Sequence, residues 1–333
     1  MRKKLFILAI FLLLLCFWYV KAINTDNPNS FGEKQFTIKK GQSLTEISKN
    51  LKKQGFLEKT FWFNVYAVIS GNKSEFRAGI YELKTDMDIV ELVDDIMEQQ
   101  KVEPAKEVKI TLLEGWSVEQ MDEYLVSRGL IKEKELIEYS EDYNLKKYTF
   151  LADRPRKADL EGYLYPDTYL VFEKSSVGNI ADKMLANFNK KLTGEIRARI
   201  QAQEKTVFEV LTLASIVEKE MYGYENRRVV ADIFLKRLKV GMPLQSDATV
   251  NYITEKGNPA PSLKDTQIDD PYNTYKYRGL PPGPICNPSI EAIKAVVYPK
   301  ETNYWYFLNA PSGEIIFSHN HDEHVRNKYK YLK

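Results

Sequence analysis

Residues 211–220 read LTLASIVEKE. Just upstream stand Val207, Phe208 and Val210, and the run continues through Leu211, Leu213, Ala214, Ile216 and Val217. Apolar residues on nearly every face predict a buried helix. That helix ends in two carboxylates, Glu218 and Glu220, separated by Lys219. A carboxylate on a buried helix must be solvated, paired or protonated. Apolar surroundings that raise its pKa would let it keep a proton near neutral pH and act as a general acid. Glu218 shares its helix face with Leu211, Ala214 and Ser215, and Glu220 shares its own with Leu213, Ile216 and Val217. Spacing alone does not choose between the two.

Working outward, helices are predicted over about Asn179–Leu192, Gly194–Gln203 and Asn226–Lys239. The last places Val229, Val230, Ile233, Phe234 and Leu238 on one face, with Gly241 as its stop. LEGYLYPDTY (160–169) reads as a strand or extended segment entering a turn at Pro166-Asp167. In MPLQSDATV (242–250), Ser246 is placed to cap a helix running through Ile253. Gln245 and Asp247 follow a Gly-Met-Pro turn that can bring polar groups into a cleft, although Asp247 also suits a helix N-terminus.

Residues 269–288, DDPYNTYKYRGLPPGPICNP, hold five prolines and two glycines and exclude a long helix or central strand. Tyr272, Asn273, Tyr275, Tyr277 and Arg278 in this loop suit a saccharide: aromatic faces for sugar C–H surfaces, and polar groups for hydroxyls. Asn287-Pro288 should then start a helix to Val297. A closing hairpin is expected from Tyr304–Asn309 and Ile315–Ser318, and a final helix from His321 to Leu332.

A chain of 333 residues has room for two or three domains, and its net charge of +2 gives no general pull on nucleic acid. Two cysteines, Cys16 and Cys286, make neither a disulfide framework nor a zinc site. His319, His321 and His324 have spacing that can bind zinc, but a hydrogen-bonding role for His324 is the expectation. No metal and no cofactor is assigned.

Met1-Arg2-Lys3-Lys4 is basic, and Leu5 to Val20 runs without a charge. With Lys21 snorkelling, the apolar run through Ile23 approaches the ~30 Å of a hydrocarbon core. The basic cluster precedes it, so the N-terminus is predicted cytoplasmic and the remainder outside, in a single-pass cell-membrane protein contacting the bilayer through residues 5–23. A cleaved signal peptide is the rival reading, disfavoured by Val20-Lys21-Ala22 at the cleavage position.

A strand–turn–helix pattern then occurs three times. Phe36–Ile38 leads to the capping pair Ser43/Glu46, with Ile47 and Leu51 on the helix face. Tyr81 and Leu83 lead to Asp88/Glu91, and Val108–Leu112 leads to Ser117/Gln120. The first and third copies align without gaps at an offset of 74 residues, Gly41 on Gly115 and Ser43 on Ser117. The first, FTIKKGQSLTEISKNL, resembles the LysM module, which recognises N-acetylglucosamine-containing glycans; a purely positioning role is equally open. The chain is thus expected to be α+β: a transmembrane helix over 1–23, a linker over 24–35, a LysM-like module over 36–106, a second strand–helix module over 107–154, and a catalytic domain over 155–333 closed by a β-hairpin and helix.

LEGYLYPDTY, LASIVEKE, RLKVGMPLQSDATV, NTYKYRGLPPGPICNPS and YWYF with Phe317 together resemble the endolytic murein (peptidoglycan) transglycosylase family, also called MltG or YceG-like. One departure is Ala248, where proline is common in that family. The resemblance implies a lytic transglycosylase that cleaves nascent peptidoglycan strands internally beside the membrane and leaves 1,6-anhydro-N-acetylmuramic acid ends. It selects Glu218 as acid and then base. Glu220 is expected to pair with Arg227 or Arg228, or to support the site, and Ser215, Gln245, Asp247, Tyr272, Asn273, Tyr275 and Arg278 are the expected substrate-binding residues. Cell-wall synthases are the implied protein partners. A non-catalytic peptidoglycan-binding scaffold and a water-using muramidase, with Asp247 as second carboxylate, are the competing functions.

Overall fold

The computed structural model describes residues 17–24, 32–99, 106–142, 148–155, 158–255 and 260–332. It divides into two compact units, residues 1–108 with 170–176, and residues 109–169 with 177–333.

The first unit runs β1 (Glu33–Ile38), α1 (Leu44–Lys53), α2 (Thr60–Ile69), β2 (Gly79–Lys84), α3 (Ile89–Gln99). β1 and β2 pair antiparallel with Phe36 opposite Tyr81, so the first two copies of the sequence pattern share one sheet. Alternation sends Phe36, Ile38, Tyr81 and Leu83 to one face, where they meet Ile47, Leu51, Leu92 and Ile96 in a common core. Ser43 and Glu46 form a reciprocal capping box at α1. Asp88 and Glu91 exchange the equivalent bonds at α3. Residues 17–23 are helical, and Ile23 joins this core. Among the described residues no helix is long and apolar enough to cross a membrane. Most of the expected anchor, residues 1–16, lies outside the described residues.

β3 (Glu107–Thr111) pairs with a later strand, β4 (Thr168–Phe172), as a second two-stranded sheet. Between them lie α4 (Val118–Ser127), opened by a Ser117/Gln120 capping box, and α5 (Glu135–Asp142). The second unit continues with α6 (Val177–Lys191), α7 (Gly194–Ala202), α8 (Val207–Glu220), α9 (Tyr224–Lys239), α10 (Asp247–Thr254) and α11 (Ile290–Val297). It closes with the antiparallel hairpin β5 (Tyr306–Asn309) and β6 (Ile315–Ser318), then α12 (His321–Tyr331). The architecture is α+β. α8 is the central helix, touched by α7, α9, α10 and α11, and every residue from Val210 to Val217 is buried. Thr206 and Glu209 form the capping box that starts it.

Three local expectations shift. LEGYLYPDTY is not a strand before Pro166: residues 161–163 form a turn, and β4 begins only at Thr168. Gly162 takes φ +85°, and a Cβ there would lie 2.7 Å from Pro284 Cγ, so the segment bends to meet the Pro-rich loop. α11 starts two residues after Pro288, because the Ser289 hydroxyl accepts the Ala292 N–H at 3.2 Å and makes Ser289 the cap. Ser246 does sit at the N-cap position of α10, but its side chain makes no capping bond. Its hydroxyl donates instead to Glu220 Oε1.

Candidate active site

The buried helix α8 delivers Glu218 to its last turn, where the chain reverses through Met221 and Gly223, the latter at φ +79°. Arg227 stands in the first turn of α9. Arg227 Nη2 donates to Glu218 Oε1 at 2.5 Å, and both side chains are only 6% exposed. The other oxygen, Oε2, accepts the Ser289 N–H at 2.9 Å and the Ser289 hydroxyl at 2.5 Å. These come from the N-terminus of α11, which favours negative charge. Arg227 is itself fixed by Met221 O at 2.9 Å and Ser289 Oγ at 3.1 Å, and it reaches the exposed Glu291 at 3.5 Å.

A glycine turn closes over this group. A Cβ on Gly115, which takes φ +78°, would lie 3.6 Å from Glu218 Cγ. The turn is stitched to the Pro-rich loop: Gly115 N–H donates to Asn287 O at 2.9 Å, and Asn287 N–H donates to Trp116 O at 2.8 Å. Beside it is Glu114, an exposed carboxyl whose pKa is raised by partial burial and by the charge of Glu218. The Asn287 side chain donates to buried Glu161 at 2.8 Å and accepts the Leu164 N–H at 2.9 Å. Glu161 also accepts the Val118 N–H at 2.9 Å. Burial pushes the Glu161 carboxyl up to about 8, against the pull of the Val118 and Gly162 N–H groups.

Glu220 occupies a separate polar cluster. Burial of its carboxyl raises its pKa, opposed by the Ser246 hydroxyl and aided by the charge of Asp247. Asp247 Oδ1 accepts the Tyr275 hydroxyl at 2.5 Å. Neither expected cation pairs with Glu220. Arg227 is taken by Glu218, and Arg228 donates to Glu225 at 3.0 Å. Arg237 lies near enough to act on Glu220 by charge, but its donors go to Trp305 O and Leu244 O.

The other sequence-selected residues divide by exposure. Ser215 is fully buried; its hydroxyl donates to Thr212 O at 2.8 Å and accepts the Ile285 N–H at 3.0 Å, tying the Pro-rich loop to α8. Asn273 is fully buried as well. Its amide donates to Thr266 O at 3.1 Å and Ile268 O at 2.8 Å, and its carbonyl accepts the Tyr275 N–H at 3.0 Å. Both hold the site in shape from inside. Gln245 is exposed on a left-handed backbone, φ +51°, held by its N–H on Thr274 O at 3.1 Å. Tyr272 tilts against Tyr252 with ring centroids 5.0 Å apart, and Arg278 is exposed. His319 bonds to Glu323 at 3.0 Å, while His321 and His324 both lie against the Tyr306 ring. A hollow of about 320 Å³ between Phe150, Arg197, Ile200 and Val207 lies at the far end of α8 from Glu218.

A YceG-like family profile matches residues 36–330. The chain belongs to the YceG-like family. An endolytic murein transglycosylase of Bacillus subtilis is 31% identical over 306 residues, covering 89% of this chain and 84% of that protein. One of Streptococcus pneumoniae is 31% identical over 319 residues, covering 89% of this chain. The chain spans 58% of the length of that pneumococcal relative. A crystal structure of a YceG-like protein from Listeria monocytogenes superposes with a TM-score of 0.60 at 31% identity, covering 90% of this chain and all of that one. The residues that sequence reasoning passed over are Glu114, Glu161, Asn287 and Ser289. Ser289 alone carried a local signal: a serine three residues before Ala292, at the start of an apolar helical run.

Proposed function

We propose that this chain is a membrane-anchored endolytic lytic transglycosylase of peptidoglycan, with Glu218 as general acid and then base. The observation that carries the reading is Glu218 itself: a 6% exposed carboxylate at the end of an apolar helix, gripped by Arg227 and by both donors of Ser289. Family membership and the names of the relatives support the reaction class.

In the proposed reaction the protonated Glu218 gives its proton to the glycosidic oxygen between N-acetylmuramic acid and N-acetylglucosamine as the bond to muramic acid C1 breaks. The muramic acid 6-hydroxyl attacks C1, and the Glu218 carboxylate removes that hydroxyl's proton. A 1,6-anhydro end forms, no water is consumed, and the acid is regenerated. One carboxyl thus serves where a hydrolase of sugars uses two. Arg227 and Ser289 stabilise the carboxylate that proton donation creates. While Glu218 carries the proton, Arg227 keeps a second anionic partner in Glu291.

Gln245, Asp247, Tyr272, Tyr275 and Arg278 form the proposed sugar-binding set, with Ser215 and Asn273 holding its shape. The left-handed backbone of Gln245 fits this role, since strained positions of non-glycine residues cluster at ligand sites. Glu220 supports it by holding Ser246 at the start of α10. The first unit, LysM-like in its first repeat, reads glycan or positions the second unit beside the membrane; residues 5–23 are the single anchor with the N-terminus cytoplasmic, its last residue, Ile23, turning into the first unit's core; and wall synthases are the partners that the family resemblance implies. A water-using muramidase is the second reading, favoured by one observation: Glu114 is a second carboxyl whose titration feels the Glu218 charge.

The test is digestion of nascent glycan strands by the full chain and by its Glu218→Gln and Glu220→Gln variants. Glu218→Gln should lose at least about 100-fold in rate, as removal of a general acid does, while still unfolding cooperatively. Full activity in a folded Glu218→Gln protein would refute the assignment, and absence of cleavage by the unsubstituted chain would leave the scaffold.

A further inference from the structure

We infer that α2 is a membrane-docking helix that lies on the outer surface of the lipid bilayer. This rests on the proposed span over residues 5–23 for which bilayer is at hand, but it concerns a different element. α2 reads TFWFNVYAVI and contains no charged residue. Phe63 and Ala67 bury one side of it in the first unit's core. At 100° per residue the opposite side collects Phe61, Val65, Val68 and Ile69. Phe61 is 63% exposed and Ile69 67%. Thr60 and Asn64 are its only polar side chains, and large apolar side chains on a helix are normally covered. This one leaves its outer side open, and such contiguous patches mark interaction surfaces.

The occupant follows from what borders the patch. The helical residues 17–23 belong to the same unit, and Tyr19 meets Trp62 of α2 with ring centroids 5.9 Å apart. Phe17 and Trp18, at the end of the charge-free run, are exposed as well, so the open side of α2 and the exit of that run are neighbours. Trp and Tyr concentrate where hydrocarbon gives way to headgroups. Lys21 reaches the Trp18 ring at 6.0 Å, and exposed Lys59 precedes α2, which places cations at the rim where anionic headgroups lie. Ten residues of helix rise about 15 Å, half of a hydrocarbon core, so α2 can lie in the interface but cannot span it.

The experiment uses the full chain in nanodiscs of phosphatidylethanolamine and phosphatidylglycerol. Spin labels are attached in a Cys16→Ala background to Phe61→Cys, Ile69→Cys, Phe11→Cys and Glu82→Cys, and oxygen and nickel-chelate collisions are compared. Labels at 61 and 69 should collide more with oxygen, as in lipid, while the label at 82 collides more with the chelate. Labels at 61 and 69 that match the one at 82 overturn the inference. The label at 11 then separates the two failures: lipid-exposed, it leaves the span intact with docking wrong; water-exposed, the span fails too. Spin–spin broadening at 69 that vanishes on dilution with unlabelled protein would point to a second copy on this face, and would also overturn it.

Discussion

Replacing Arg227 by methionine tests the grip on Glu218 energetically. Arg227 and Glu218 are both 6% exposed, and Arg227→Met leaves the carboxylate buried without its cation. Breaking a buried pair from one side costs about 3–5 kcal/mol. The same substitution removes donors to Met221 O and Ser289 Oγ. Those bonds account for about 1 kcal/mol each, and part of that loss is contained in the first figure. The methionine retains most of the packing, so about 3–5 kcal/mol is the expected loss at pH 7, read from urea unfolding of the full chain in detergent. In a Glu218→Gln background the uncompensated charge is gone, and Arg227→Met should cost only the two lesser bonds, about 2 kcal/mol. The coupling between the two sites is therefore at least about 1 kcal/mol. Costs that add to within about 0.5 kcal/mol would refute the reasoning, because residues in one network do not behave independently.

Gly162→Ala should destabilise by about 2–5 kcal/mol: a left-handed backbone penalty at φ +85° adds to overpacking against Pro284, whose Cγ would lie 2.7 Å away. A urea midpoint within error of the parent would contradict the close approach. Glu161 makes stability depend on pH. Its carboxyl is raised from 4.5 to about 8 in the folded protein. Between those values the folded state holds a proton that the unfolded chain has released. Its contribution is complete below about pH 4.5, falls as pH rises, and is gone above about pH 8, with at most roughly 5 kcal/mol at stake. Glu161→Gln should flatten that window relative to the parent in urea unfolding at pH 5, 6.5 and 8, and parallel curves would rule out the effect.

What the sequence made legible was local. The Ser43/Glu46 and Ser117/Gln120 boxes, the burial of α8 and the closing hairpin all depend on residues a few positions apart, and all form as read. Pairing of β1 with β2 was not legible, since alternation marks a strand but does not choose its partner. The carboxylate cluster was half legible. An apolar helix ending in Glu218 and Glu220 announces a site, but the groups that distinguish them come from afar. Arg227 stands 9 residues on, and Ser289 is 71 residues away. Asn287 and Glu161 meet across 126 residues. Ser246 shows how a local rule yields: its sequence is that of a helix cap, and the tertiary position of Glu220 claims its hydroxyl.

In the proposed reaction Glu218 moves one proton out and one proton back while the sugar's own 6-hydroxyl closes on C1. Cleavage of glycan strands in water enriched in oxygen-18 tests it most directly. Fragments should end in 1,6-anhydro-N-acetylmuramic acid with no heavy oxygen, and these products should be lost in Glu218→Gln. Heavy oxygen at C1 of reducing ends would contradict it and would assign Glu114 or another carboxyl the task of activating water.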